Sequence, residues 1–127
     1  MHKKYNPSDL APVYSNYVNC TEVDPGKRWL FVSGQCGVRQ DGSVPEDFTT
    51  QCEVAMDNVL ANLREAGMAA EDVVKLTFFM TSSEDIASAR EVRDRKLGGT
   101  AVSSTLILVS GFILPVFKIE IECIAAK

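Results

Sequence analysis

The chain has 127 residues, 46% of them hydrophobic and 24% charged, and its formal net charge is −4. This length and composition predict one globular domain, residues 1–127, that buries a core of its own. The acidic balance argues against nucleic-acid binding, because proteins that bind nucleic acid neutralise phosphates with basic side chains.

Cysteine and histidine usage argues against a metal site. The chain has one histidine, His2, and four cysteines, none of which form a CxxC pair: Cys20, Cys36, Cys52 and Cys123. Zinc needs closely spaced Cys and His ligands, so no metal is predicted.

Free thiols favour a reducing compartment, and residues 1–12 lack the apolar run of a secretory signal, so a cytoplasmic protein is expected.

The N-terminal third predicts two strands. Residues 1–11 are expected to be a flexible segment. Residues 13–23 are rich in β-forming residues, and residues 28–33 form a stronger strand pattern. The Asp-Pro-Gly turn signal at 24–26 lies between the two patterns, so the two strands are expected to pair as a hairpin.

Two helices are predicted with a strand between them. Apolar residues recur at helical spacing over 46–66 and stop before Gly67. Residues 73–81 are rich in Val, Phe and Thr, which predicts a strand. A second helix is predicted from Ser83 to the residue before Gly98, with a charged side expected to be a solvated face: Arg90, Arg93, Asp94 and Arg95.

Residues 100–117 carry no charge and are just long enough to suggest a membrane span. Gly111, Pro115 and a cluster of Ser and Thr interrupt the apolar run, so short strands fit it better and no membrane association is predicted. Residues 105–109 are a candidate central strand. The last strand, 116–125, alternates between two faces: Phe117, Ile119, Ile121 and Cys123 on one, Lys118, Glu120 and Glu122 on the other.

The order β-β-α-β-α-β-β predicts an α/β (α+β) fold with one sheet and both helices on one face. Phe78, Phe79 and residues 106–109 supply more apolar side chains than two helices can cover. The uncovered face is therefore expected to be buried by another copy of the chain. A homo-oligomer of this kind has clefts between its subunits, where small molecules tend to bind.

Five stretches of the sequence carry a recognisable pattern: VYSNYV, FVSGQCGV, QCEVAMDNVLANLREAG, EDVVKLTFFM and KIEIECIA. Together they resemble the RidA (YjgF) family, also called the L-PSP endoribonuclease-like or translation-inhibitor family. The resemblance implies one RidA-like domain with a chorismate-mutase-like fold, and a homotrimer with three sites at subunit interfaces. It also implies hydrolysis of reactive enamines and imines to a 2-keto acid and ammonia, with no metal or organic cofactor.

The site residues of the family carry over to matching positions as expectations. Tyr14 matches the tyrosine of a Tyr-Ser motif that lines the pocket, or else it is a core or interface residue. Gly34 and Cys36 match the strand end that forms the pocket wall, and Cys36 is expected to be passive rather than reactive. Glu120 matches the acidic residue that places or activates the attacking water, or else it is a solvent-exposed strand residue.

The catalytic branch of the family has an arginine just before its fourth strand, where it forms a forked pair with the substrate carboxylate. The matching position is Thr105, or Ser104 if one residue is inserted, so the chain resembles branches that have lost the arginine. Ser104 and Thr105 are either plain strand residues or contacts to a neutral or differently charged ligand. Arg90 of the second helix is either a replacement for the lost arginine or part of the solvated face.

Two function hypotheses follow. The first is an enamine or imine deaminase-type hydrolase with an altered substrate, because the arginine is absent. The second is a non-catalytic trimer that binds a small metabolite or a protein partner through the same clefts. Endoribonuclease or translation-inhibitor activity is a third hypothesis, and the acidic chain without a basic cluster argues against it.

Overall fold

The computed structural model describes all residues of the chain, 1–127. Four long strands form the main sheet in the order β3-β6-β4-β5, and two short strands form a separate antiparallel pair. Strand β6 is antiparallel to both of its neighbours, whereas β4 and β5 are parallel. The elements are β1 (Lys3–Tyr5), β2 (Cys20–Glu22), β3 (Trp29–Cys36), α1 (Phe48–Glu65), β4 (Val73–Met80), α2 (Ile86–Lys96), β5 (Ser103–Leu108) and β6 (Ile119–Ala126).

Local signals set both ends of helix α1. The Asp47 side chain accepts a hydrogen bond from the backbone N–H of Thr50 at 2.9 Å, which satisfies one of the free donors of the first turn. Gly67 follows the helix with φ +69°, a conformation that glycine adopts without steric cost. The helix predicted over 46–66 is therefore confirmed to within two residues at each end. Neither this helix nor α2 has the length and apolar character needed to cross a membrane.

Both helices pack on one face of the main sheet. Strand β6 buries the alternate residues expected from its pattern, and β4 buries Val73 and then every second residue from Leu76 to Met80. The α+β architecture with two helices on one face of the main sheet is thus confirmed. The prediction of a single sheet in the order β-β-α-β-α-β-β is wrong, because three strands precede α1 and the first two form a sheet of their own. The sheet contributes these buried side chains to the core: Leu76, Phe78, Met80, Ile119, Ile121 and Cys123.

The predicted N-terminal hairpin is wrong. Strand β2 covers only Cys20–Glu22 of the expected 13–23, and it pairs with Lys3–Tyr5 rather than with β3. Residues 3–5, within the segment expected to be flexible, are therefore a strand. Opposite charges favour this pairing, since Lys3 lies opposite Glu22 and its ammonium is 3.9 Å from the Glu22 carboxylate.

Side-chain hydrogen bonds attach the N-terminal strand to the rest of the domain. His2 Nε2 donates to the backbone carbonyl of Ala126 at 2.9 Å, and the Lys4 ammonium donates to the carbonyl of Ala101. These partners lie more than ninety residues away along the chain. A sequence pattern of local residues does not reveal such long-range bonds, which is why this strand was not predicted.

Strand β5 lies at an edge of the main sheet, so the prediction of a central strand at 105–109 is wrong. It spans Ser103–Leu108 and pairs only with β4 inside the sheet. Apolar runs are typical of central strands because both faces of such strands are buried. In β5 the apolar side chains remain open, with Ile107 42% and Leu108 50% exposed.

The other face of the main sheet, called here the helix-free face, is only partly covered. Phe31 on β3 is 72% exposed and stacks on Trp29, with their ring centroids 6.4 Å apart. Together with Ile107, these side chains leave apolar surface on this face at both edges of the sheet. The expectation that two helices cannot cover all the apolar strand residues is confirmed.

Gln51 is a fully buried amide that joins α1 to the start of β6. Its Nε2 donates to the carbonyls of Pro45 at 2.8 Å and Val116 at 2.9 Å, and its Oε1 accepts from the backbone N–H of Lys118 at 2.9 Å. Gly37 packs against the same residue, because a Cβ at Gly37 would lie 2.6 Å from the Gln51 carbonyl oxygen. Gln51 therefore fixes the chain two residues before Glu120.

Replacing Gln51 with Met is expected to lower the free energy of unfolding by about 2–4 kcal/mol, because two carbonyls and one N–H lose their buried partners. Urea denaturation at one protein concentration measures this loss. Gln40→Met, at an exposed position, is the matched control, with an expected change within about 0.5 kcal/mol. Equal stability of the two variants would contradict the structural role of the amide.

Candidate functional site

Four of the predicted site residues lie around one pocket at the exposed edge of β5. This β5 pocket has a volume of about 220 Å³ and lies between α2, residues 14–17 and β5. None of the residues that line it is acidic, and two are arginines. The lining consists of Tyr14, Ser15, Tyr17, Arg90, Arg93, Ser104, Thr105 and Leu106.

The chain before β2 forms one wall of the pocket. Val18 pairs with Ser103 in a parallel bridge, and its backbone N–H donates to the carbonyl of Val102 at 3.1 Å. This pairing holds residues 14–17 beside β5. The Arg90 guanidinium carbon lies 5.9 Å from the centre of the Tyr14 ring, within cation–π range. Tyr14 itself is 82% exposed.

Arg93 is the charged pocket residue that sequence reasoning missed, because its charge predicts a solvated face. The other lining residues that were not predicted are Ser15, Tyr17 and Leu106. The Arg93 side chain is only 5% exposed. The Nε atom donates to Asp94 Oδ1 at 2.9 Å, and Nη2 donates to Ser15 Oγ at 3.0 Å. The spacing of the helix does predict that Arg93 is buried. Arg93 lies seven residues after Ile86 and four before Leu97, on the stripe of the helix that faces inward.

Lys75 brings a positive charge next to Thr105. The two residues lie on neighbouring strands and both point to the helix-free face, where Lys75 Nζ donates to Thr105 Oγ1 at 2.6 Å. The Thr105 oxygen accepts from the ammonium, so its own proton remains available to a ligand. Ser104 points to the opposite side of β5 and is half-buried against the pocket.

The remaining predicted residues, Gly34, Cys36 and Glu120, form a second group on the helix-free face, called here the Glu120 cluster. Glu120 pairs with Cys36 on β3, and the register of β3 shifts between Val32 and Gln35. Gly34 leaves room for the Glu120 side chain, since a Cβ at Gly34 would overlap the Glu120 carboxylate. A hollow of about 260 Å³ opens beside Glu120.

The Glu120 carboxylate changes the chemistry of the neighbouring thiol. Burial, the negative charge of Glu120 and a hydrogen bond to Glu120 together raise the pKa of Cys36 to about 11. Asn58 of α1 donates to the Cys36 carbonyl at 3.2 Å and so holds this strand end in place. Because the thiolate is the nucleophilic form, the Cys36 thiol is protonated and a weak nucleophile at neutral pH.

The two groups lie apart within one subunit. Phe79 on β4 pairs with Glu120 on one side and with Ile107 on the other. The backbones of Glu120 and Ile107 are therefore about 10 Å apart, two strand spacings, and Thr105 is two residues further along β5. One chain brings Tyr14, Arg90, Ser104 and Thr105 together, but not with Glu120.

The polar groups of both sites are suited to an organic ligand. No group of three or more His, Cys, Asp or Glu side chains is placed to hold a metal ion. The β5 pocket offers guanidinium, hydroxyl and phenol donors, and the hollow beside Glu120 is lined by two carboxylates, those of Glu120 and Glu122. Such an arrangement can bind an anionic group and transfer protons to or from water.

Comparison with known proteins identifies relatives along most of the chain. The family model described as Endoribonuclease L-PSP matches residues 9–127. TdcF of Escherichia coli, described as a candidate reactive intermediate deaminase, is 35% identical over 108 residues, 83% of either chain. The mitochondrial protein mmf2 of Schizosaccharomyces pombe is 34% identical over 123 residues, 92% of this chain and 98% of that protein.

Solved structures agree with this relationship. The crystal structure of E. coli TdcF with bound serine matches with a TM-score of 0.74 and 32% identity, over 98% of this chain and 99% of that one. The Rid-family protein YyfB from Yersinia pestis matches with a TM-score of 0.89, over 99% and 98% of the two chains, and at 24% identity it supports the fold alone. The family model and the full-length relatives confirm the resemblance read from the motifs, and the chain belongs to the RidA (YjgF) family, whose sequence model is described as Endoribonuclease L-PSP.

Proposed function

We propose that the protein is a homotrimeric deaminase-type hydrolase that converts a small imine or enamine to a 2-keto acid and ammonia. The observation that carries this proposal is the Glu120 carboxylate, which is held beside a hollow by strand pairing and by the missing side chain of Gly34. The description of the relative TdcF as a candidate reactive intermediate deaminase supports the reaction class. Ser104 and Thr105 carry no charge, so a substrate carboxylate must be held by a different residue from the one that the arginine-bearing branch uses.

In the proposed reaction, Glu120 acts as a general base toward water. Water adds to the carbon of the C=N bond, its proton passes to Glu120, and a carbinolamine forms. Glu120 gives this first proton to the nitrogen and then accepts the proton of the new hydroxyl. It passes this second proton to the nitrogen as well, so the C–N bond breaks and ammonia leaves as the C=O bond forms. An enamine first takes a proton on carbon to become the imine. The atoms of imine and water balance those of ketone and ammonia, so no oxidant or cofactor is required.

Water is the proposed nucleophile, not the thiol of Cys36. A pKa of about 11 leaves only a trace of thiolate at neutral pH. The protonated thiol instead stands beside Glu120, its partner residue on the neighbouring strand. This is the passive wall role expected for Cys36.

The proposal requires more than one copy of the chain, because one subunit separates Glu120 from the β5 pocket. Strands β3 and β5 are the two edges of the main sheet, and each carries exposed apolar side chains, Phe31 on β3 and Ile107 on β5. We infer that the β3 edge of one copy meets the β5 edge of the next. A ring of three such contacts would create three clefts, each joining the Glu120 cluster of one copy to the β5 pocket of its neighbour.

A second candidate is a non-catalytic trimer that binds a metabolite or a protein partner. The absence of an arginine at Ser104 and Thr105 favours it, because the forked pair with a carboxylate is lost there. Endoribonuclease or translation-inhibitor activity is less well supported, since the net charge is −4. The four free cysteines accord with a cytoplasmic location for either candidate.

Glu120→Gln is expected to abolish most of the deaminase activity, because an amide is not a general base. The assay couples a serine dehydratase and serine, which generate 2-aminoacrylate, to 2-keto acid release with and without this protein. We expect acceleration by the wild type and a loss of about 10²-fold or more in the variant. Gly34→Ala, which displaces the carboxylate, is expected to lose activity in the same direction.

The matched control for that assay is Glu65→Gln, which removes an exposed carboxylate at the end of α1 and is expected to retain full activity. If the wild type gives no acceleration while a ligand occupies the cleft, the metabolite-binding candidate is the better one.

Glu120→Gln is also expected to speed alkylation of Cys36 several-fold at pH 8. Loss of the carboxylate lowers the pKa of the thiol and so raises its thiolate fraction. Peptide mass spectrometry after timed iodoacetamide treatment measures the rate for each cysteine, with Glu65→Gln as the control. In the wild type the exposed Cys20 should react before Cys36, and an unchanged Cys36 rate in Glu120→Gln would contradict the coupling.

The purified protein is expected to sediment as a trimer, with three times the 13.9 kDa mass of the chain. Phe31→Glu, which places a charge on the apolar edge of β3, should shift the equilibrium toward monomer. Ala61→Glu, on the exposed side of α1, should leave the trimer intact. A wild type that stays monomeric at tens of micromolar would exclude clefts shared between copies.

A further inference from the structure

We propose that Arg93 on α2 binds the carboxylate of the substrate in the β5 pocket, in place of the arginine that β5 lacks. This inference rests on the proposed deaminase function and names the residue that selects anionic substrates. The residue that recognises the substrate carboxylate then lies on a helix rather than on a strand. Its charge in the sequence predicts a solvent-exposed position.

Arg93 is positioned before any ligand arrives. Its side chain is 5% exposed, and Asp94 and Ser15 each accept one of its hydrogen bonds, at 2.9 Å from Nε and 3.0 Å from Nη2. A guanidinium has five N–H donors, so these two bonds leave three, two of them on Nη1. No buried side-chain nitrogen lacks a partner. The free Nη1 donors are therefore accessible, and the β5 pocket is the cavity that Arg93 lines.

The charges around the pocket favour an anion. The lining contains Arg90 and Arg93 and no carboxylate. Asp94 meets Arg93 through Nε, and its carboxylate is not part of the lining. Arg90 lies over the Tyr14 ring and adds a second positive charge at the mouth. Serine, threonine and tyrosine hydroxyls supply further donors, so a carboxylate finds both charge and hydrogen bonds in the pocket.

The other two cations near Thr105 are less suited to this role. The Lys75 ammonium donates to Thr105 Oγ1 on the helix-free face and does not line the pocket. Arg90 is half-buried and rests on an exposed tyrosine, so binding must immobilise it. Arg93 is already ordered by its two partners, and binding through it loses less conformational freedom.

The size of the pocket within one chain suits a small acid. Its volume of about 220 Å³ is equivalent to roughly seven water molecules in the liquid. A 2-keto or 2-imino acid of a few carbon atoms fits that space. Larger anions would have to extend out of the pocket toward the edge of β5.

The test compares binding of pyruvate, a small 2-keto acid, with binding of its neutral amide, pyruvamide, by isothermal titration calorimetry. Wild type is expected to bind pyruvate at least tenfold more tightly than pyruvamide. Arg93→Gln is expected to lose at least tenfold in pyruvate affinity and to bind pyruvamide as before. Arg93→Lys, which keeps the charge without the fork, should fall between them. Arg64→Gln, an exposed arginine of α1, is the matched control and should match the wild type.

Pyruvate affinity in Arg93→Gln within twofold of wild type would overturn the inference, as would equal binding of pyruvate and pyruvamide by the wild type. If Arg93→Gln does not fold, as judged by its thermal unfolding curve, Arg93→Lys and the pair of ligands on wild type decide the question. Loss of affinity through Arg90→Gln alone would assign the carboxylate to Arg90 instead, and so would also overturn it.

Failure of carboxylate binding by Arg93 and failure of the deaminase reaction give different experimental results. Glu120→Gln should keep pyruvate binding while it loses deaminase activity. Arg93-dependent pyruvate binding in a wild type without deaminase activity would refute the reaction and leave the carboxylate site standing. Deaminase activity on 2-aminoacrylate that is undiminished in Arg93→Gln would leave the reaction standing and refute the carboxylate site.

Discussion

Two helices cover one face of a four-stranded sheet, and this limit on coverage determines which apolar side chains remain exposed. Leu76, Phe78 and Ile121 are sealed beneath the helices, whereas Phe31 and Ile107 stay open at opposite edges. Burial of apolar surface is the main favourable term in folding and association. The residues that the helices leave uncovered therefore favour contact between copies, and both candidate groups of functional residues lie near those same edges.

Within the chain, charge is arranged in two separated groups. The β5 pocket is lined by two arginines, and the hollow across the helix-free face holds Glu120. A carboxylate and a guanidinium in direct contact would neutralise each other as an ion pair. Their separation by β4 keeps Glu120 out of contact with the pocket arginines, while Arg93 pairs through Nε with Asp94 and keeps its Nη1 donors for a ligand. A cleft between copies is a simple way to bring both to one ligand without pairing them to each other.

Periodic apolar patterns predicted α1, β4, β6 and the one-sided helix packing, because burial on one face leaves a regular trace in the sequence.

Three features were not predictable in this way. Strand β1 depends on bonds to Ala101 and Ala126, far along the chain. The edge position of β5 depends on which strand pairs with β4. Arg93 was assigned to solvent because its charge outweighed its spacing, although its partners Ser15 and Asp94 compensate for burial. Four predicted site residues share one pocket, and motif matching, not periodicity, found them.

The bond from His2 to the carbonyl of Ala126 places the two ends of the chain side by side. Chain ends that lie this close can be joined by a short linker with little loss of entropy. The polypeptide could then be reopened at the exposed Asp41-Gly42 turn, where Gly42 has φ +87° and no core contact would be cut. The same closeness means that a fusion partner on either end would emerge from one spot, next to the small β1-β2 sheet.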